Sequence, residues 1–217
     1  MSGRLFWAQI MALPKGLMLT MAAIITVSLV LLIDAGEGRW APYAQKQFWH
    51  LLMGVGAFLV AALTPTRFWL AAAWGLYALS LVLLVLVELV GGIGGGAQSW
   101  LVVGSFRLQP TEVMRLAIIL LLARLFQTQG LVVMNHWRRV CALGLLLLGP
   151  LLLVALQPDL GSAAMLGFTA LGVLFVAGWR LRWFAVGLAA VLVVAPVAWT
   201  QLHPYQQNRL TAFMNPW

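Results

Sequence analysis

GGIGGGAQSWLVVGSFRLQPTEVMR, residues 91–115, lies between two strongly apolar runs. It holds six glycines, a tryptophan, a Gln-Pro pair, and a Glu three residues ahead of an Arg. What such a stretch can become depends on its solvent, which the flanking sequence decides. The chain is 63% hydrophobic and 8% charged, against about 45–50% and about 25% in soluble domains. Crossing bilayer hydrocarbon takes roughly 20 apolar residues. Segments 16–33, 68–90, 140–156, 160–179 and 183–200 supply runs of that kind, nearly free of charge. Segment 48–63 is shorter and carries His50, and 110–126 carries Glu112 and Arg115. Counting both, the sequence predicts seven spans in an all-α, polytopic helical bundle, with 1–217 forming a single membrane domain. Between spans, 97–108 is too short to cross and too apolar for a free loop, which predicts a re-entrant or interfacial segment. Trp100 would then sit at headgroup depth, where Trp is enriched.

The formal charge of +8 is scattered singly between the apolar runs. That is a pattern of membrane orientation, with no nucleic-acid partner implied. Cytoplasmic loops carry the excess of Lys and Arg. With the N-terminus inside, Arg4, Lys15, Arg67, Arg124, Arg138, Arg139, Arg180 and Arg182 fall on one face, and Arg39, Lys46, Arg107 and Arg209 on the other. Eight against four places the N-terminus in the cytoplasm and the tail from His203 onward outside. The lone Cys141 has no internal disulfide partner, and His50 and His136 lack metal-ligand spacing. Gly92, Gly94 and Ala97 match a dinucleotide fingerprint only formally, because that fingerprint needs a preceding strand and a βαβ unit. The loops are short apart from 34–47, 91–109 and 127–139.

One internal echo organises the polar residues. LQPTE at 108–112 and LQPDL at 156–160 both place Gln-Pro ahead of an acid and an apolar run. Proline suits the first turn of a helix, and an acid there complements the helix dipole. Both starts fall on the outer side in the orientation above, so Glu112 and Asp159 should lie near one membrane face. Glu112 and Arg115, three apart, share a helix face. They form either a structural salt bridge or the lining of an outward cavity, where the Arg115 guanidinium could meet a phosphate. Asp159 is either a helix cap or a carboxylate at the mouth of that cavity. Trp100 is either an interface anchor or part of the same lining.

GAQSWLVVGSFRLQPTEVMRLA, LQPDLGSA and NRLTAFMNP, in that order, resemble the signatures of the SEDS family (RodA, FtsW and SpoVE), and the likeness covers essentially the whole chain. The first stretch leans toward RodA, the elongation member. The resemblance implies a peptidoglycan glycosyltransferase that polymerises lipid II at the outer face of the bacterial cytoplasmic membrane during elongation and cell-shape maintenance. It implies a class B penicillin-binding protein as partner, among membrane lipids. It also assigns Trp100, Gln109, Glu112, Arg115 and Asp159 to the cavity that takes the lipid-linked disaccharide, with Asp159 a catalytic carboxylate. Basic groups or a divalent cation, Mg or Mn, would stabilise the leaving diphosphate. Ser99 stands where the family has Arg, Thr111 where it has Ser, and Arg115 where it has Lys. The family has about ten spans, and its main catalytic Asp follows the Asn-Pro matched by Asn215-Pro216. The expectation is therefore a chain truncated before that Asp and before the last three spans, and inactive by itself. A lipid II flippase and a noncatalytic scaffold for a penicillin-binding protein are the two rival expectations.

Overall fold

The computed structural model describes residues 14–94, 97–104, 106–157, 159–201, 207 and 211. Arg4, Arg209, Pro158 and the Asn215-Pro216 pair lie outside the described residues. The chain, expected as one membrane domain, divides into two compact units, Met1–Phe68 and Trp69–Trp217. Each is described by itself.

In the first unit, α1 (Lys15–Ala35) packs against α2 (Tyr43–Leu63). No residue of α1 is buried, as expected of a helix that is apolar on all sides and meets lipid tails rather than water. Its two threonine hydroxyls turn back on the helix: Thr20 and Thr26 donate to the carbonyls of Gly16 and Ala22, at 2.9 Å each. Hydrocarbon offers polar groups no other partner.

In the second unit, α3 (Thr66–Val90) leads into three short strands, β1 (Gly92–Gly94), β2 (Ala97–Val103) and β3 (Phe106–Leu108). Then follow α4 (Pro110–Met134), α5 (Trp137–Leu156), α6 (Leu160–Val176) and α7 (Leu181–Gln201). All seven expected spans are helices. Five of them, α1 to α5, are long and apolar enough to cross a membrane, and α6 and the stretch of α7 up to Pro196 are shorter apolar helices.

The segment expected to be re-entrant or interfacial has a defined form, an antiparallel meander in the order β1-β2-β3. Gly92 pairs with Trp100, and Leu101 with Leu108. Gly104, with φ of 62°, opens the turn between β2 and β3, in a region costly for residues with a side chain. Strand pairing satisfies the backbone of a stretch too glycine-rich to continue α3.

The core of the second unit follows helical spacing. Ala73, Tyr77, Ser80, Leu84 and Val87 line one face of α3. Met114, Ala117, Ile118, Leu121 and Leu122 line one face of α4. They meet Leu143 and Val154 of α5 and Leu166, Ala170 and Leu174 of α6. One polar contact inside this core has a specific cause. Pro150, within α5, has no N–H to give the carbonyl four residues back, which is Leu146. The Tyr77 hydroxyl of α3 donates to that same carbonyl at 2.6 Å. A proline defect in one helix is thereby made good by another.

The loop expected over 127–139 is mostly helical. α4 runs on to Met134 across a break at Gly130, whose φ of 74° and ψ of 158° are not helical. Only Asn135 and His136 separate α4 from α5. Asn135 ties this link to the next one, its side-chain carbonyl accepting from the Arg180 amide at 3.1 Å.

Candidate functional site

The helix starts at Pro110 and Leu160 are brought side by side. Asp159 is the N-cap of α6, its Oδ1 accepting from the Ser162 amide at 3.0 Å. A carboxylate there satisfies an orphan backbone donor and complements the dipole. Its Oδ2 accepts three more hydrogen bonds: from the Ser162 hydroxyl at 2.7 Å, the Ser99 hydroxyl at 3.1 Å and the Gln109 amide at 3.4 Å. Gln109 also donates to the Ser162 hydroxyl at 3.1 Å. Gln109 is the N-cap residue of α4 but makes no capping bond to its own helix. Its side chain crosses to the start of α6 instead. One carboxylate thus joins β2, α4 and α6 at a single point.

One turn into α4, Arg115 Nη1 lies 3.0 Å from Glu112 Oε2, with the Glu side chain 53% exposed and the Arg side chain 23% exposed. Among the described residues no hydrogen bond or ion pair links this couple to Asp159. Two buried donors at the same helix start have no protein partner, the Thr111 hydroxyl and Arg115 Nε. Buried polar groups are normally satisfied, and these two are left without a protein partner.

Trp100 is half-buried on β2, beside Ser99. Successive residues of a strand face opposite sides. Ser99 is the extra residue of an irregular register, since Gly92 pairs with Trp100 and Ile93 with Gln98, and such a bulge breaks that alternation. Among the described residues no hydrogen bond joins the Trp100 indole to the Asp159 cluster. The geometry therefore gathers Gln109 and Asp159, sets Glu112 and Arg115 one turn away, and places Trp100 next in sequence to Ser99 on β2.

Sequence reasoning missed Ser162 and Ser99. Ser162 had a readable signal, standing three residues after an N-cap acid. Ser99 had none, because its partner is sixty positions away. Gln157, of the second Gln-Pro pair, is 1% exposed and donates to the Leu84 carbonyl of α3 at 2.9 Å. It fastens the end of α5, while its own Oε1 has no partner.

A divalent cation needs several oxygen ligands. The Asp159 oxygens accept four hydrogen bonds, and Glu112 faces Arg115. Among the described residues there is no group of three or more His, Cys, Asp or Glu.

The model of the cell cycle protein family that unites FtsW, RodA and SpoVE matches residues 5–217. The chain belongs to this family. It is 33% identical over 222 residues to the peptidoglycan glycosyltransferase MrdB of Escherichia coli K12, covering 97% of this chain and 56% of MrdB. A chain of a peptidoglycan synthase complex, solved to show how polymerization and crosslinking are coordinated, superposes with a TM-score of 0.80 at 32% identity, covering 95% of this chain and 60% of that one. The rod shape determining protein RodA of Thermus thermophilus gives a TM-score of 0.69 at 34% identity, covering 84% of this chain and 60% of RodA. This FtsW/RodA/SpoVE chain spans about half the length of the curated relatives it matches. It is a multi-pass membrane protein.

Proposed function

We propose that the protein is a peptidoglycan glycosyltransferase of the RodA kind, extending glycan strands from lipid II at the outer face of the bacterial inner membrane during elongation. The observation that carries this reading is the joined start of α4 and α6. There a fully hydrogen-bonded carboxylate stands beside an Arg whose Nε is buried and unpartnered, as is the Thr111 hydroxyl. Guanidinium recognises phosphate oxygens well, and Arg115 has donors to spare after meeting Glu112. In this reading Arg115 and the Thr111 hydroxyl hold the diphosphate of the lipid-linked disaccharide, and Trp100 anchors the meander at the headgroups. To take a proton, Asp159 must first give up one of its four hydrogen bonds. We therefore assign Asp159 to positioning, holding Gln109 and Ser99 in place beside the substrate. Glu112 has a single partner and a half-exposed side chain, so it is the carboxylate with room for the acceptor sugar hydroxyl. General-base help of that kind contributes about 10²–10⁴-fold.

The charge count supports an orientation with the N-terminus cytoplasmic and this site extracytoplasmic. The complex that coordinates polymerization with crosslinking supports a class B penicillin-binding protein as partner. The test is incubation of the full-length protein with lipid II in detergent, with that partner present. Polymer formed without a bilayer supports the proposal, because a flippase has nothing to cross. R115Q should weaken lipid II binding about tenfold or more. Equal binding by R115Q and the unaltered protein would remove the assignment. Partner binding without any polymer would favour the scaffold reading.

A further inference from the structure

We infer that a second site, at the other end of α4, binds the headgroup of an anionic phospholipid. A cleft of about 450 Å³ opens where the α4–α5 and α6–α7 links meet, lined by Asn135, His136, Trp137, Arg180, Arg182 and Trp183. Its walls combine two guanidinium groups with two indoles and two valines. Arg182 lies 4.9 Å from the Trp183 ring centre, and Arg138 5.5 Å from that of Trp137. Such stacking orients a guanidinium and leaves its edge free for an anion. Among the described residues no carboxylate lies within ion-pair reach of Arg180 or Arg182, the two recorded pairs being Arg39–Glu37 and Arg115–Glu112.

The floor of the cleft is fixed. Asn135 is 5% exposed, holds the Arg180 amide, and donates back to the Leu131 carbonyl at 2.9 Å. The Trp179 indole donates to the Met134 carbonyl at 3.3 Å. These bonds hold the Arg-bearing link against the end of α4. The charges also run against the local dipoles. Trp137 begins α5 and Leu181 begins α7, yet neither first turn contains an acid. Arg138, Arg139 and Arg182 stand there instead, where a positive group is disfavoured. An anion in the cleft relieves that conflict for both helices at once.

Location selects the kind of anion. From Pro110 the chain climbs about 30 Å of helix at the usual rise before the break at Gly130, about the thickness of bilayer hydrocarbon. The cleft therefore lies at the membrane interface opposite the Asp159 cluster. Indoles belong at that depth, and basic clefts between membrane helices suit anionic headgroups. The valines and tryptophans offer acyl chains an apolar wall, which a free phosphate would not use. The ligand is accordingly a phosphodiester carried on a lipid. The inference stands on its own residues and is independent of the polymerase proposal.

The test is native mass spectrometry of the purified chain offered phosphatidylglycerol and phosphatidylcholine in equal amounts. Phosphatidylglycerol should be retained preferentially, and an excess of inorganic phosphate should not displace it. Each basic residue near an anionic surface contributes about fivefold, so R180Q/R182Q should lower retention about 25-fold. K15Q/R67Q, which removes the same charge elsewhere, should leave it unchanged. Equal retention of the two lipids, an unaltered R180Q/R182Q, or an equal loss in K15Q/R67Q would overturn the site. Displacement by phosphate would overturn the lipid as its ligand. Should R180Q/R182Q fail to fold, the lipid competition and the phosphate arm decide.

Discussion

The Tyr77–Leu146 contact makes a prediction that isolates one hydrogen bond inside a membrane core. Tyr77 is 9% exposed, and its hydroxyl lies 2.6 Å from a carbonyl that Pro150 leaves without a helical donor. Tyr77→Phe keeps the ring and removes only the donor. Hydrogen bonds between membrane helices average about 0.6 kcal/mol and reach about 1.7. A buried carbonyl left unsatisfied costs about 1–3 kcal/mol. The short distance and the missing alternative put Y77F near the upper part of the first range, about 1–1.5 kcal/mol. In a P150A background the new amide of residue 150 can reach Leu146 along the helix. The same Y77F change should then cost a few tenths of a kcal/mol at most. The assay is equilibrium unfolding in mixed detergent and SDS micelles, followed by circular dichroism, for the four members of the cycle. A coupling of about 1 kcal/mol is expected. Equal costs of Y77F in both backgrounds, to within about 0.3 kcal/mol, would show that proline and tyrosine do not share that carbonyl.

Two further outcomes can be measured in the same way. Gly130→Ala should destabilise by about 1–3 kcal/mol, because φ of 74° with ψ of 158° is a region nearly reserved for glycine; an added Cβ would meet nothing within 4 Å, so crowding would not explain the loss. Asp159→Ala should cost about 1 kcal/mol as a lost N-cap, and Asp159→Asn only a few tenths. If Asp159 acts by positioning, D159N should also keep most lipid II binding where D159A loses it; equal loss in both would make the charge itself the requirement.

Much of this architecture is legible in the sequence because lipid simplifies the problem. In hydrocarbon the backbone must bond to itself, so an apolar run of sufficient length becomes a helix, and all seven did. The repeated Gln-Pro-acid pattern located the starts of α4 and α6 for the same reason, since proline and acid both favour a first turn. What stayed hidden depended on neighbours. The strand AQSWLVV shows no alternation of polar and apolar residues that would announce a half-buried strand, so residues 97–108 read as a re-entrant or interfacial segment. Gly130 alone does not reveal whether a helix resumes after it. The Tyr77–Leu146 and Ser99–Asp159 bonds span 69 and 60 positions, and nothing local encodes such partners. At Asp159 the sequence left helix cap and cavity carboxylate open, and the geometry shows the cap directly.

The central claim is that the starts of α4 and α6 lie together at one membrane face, opposite the arginine-lined cleft. Arg107, Gly161 and Arg180 are all exposed, so each can carry a single cysteine once Cys141 is replaced by alanine. With a membrane-impermeant maleimide applied to intact spheroplasts, R107C and G161C should both label from outside, and R180C only after the membrane is opened. Labelling of R107C and G161C from opposite sides would contradict the account at its root.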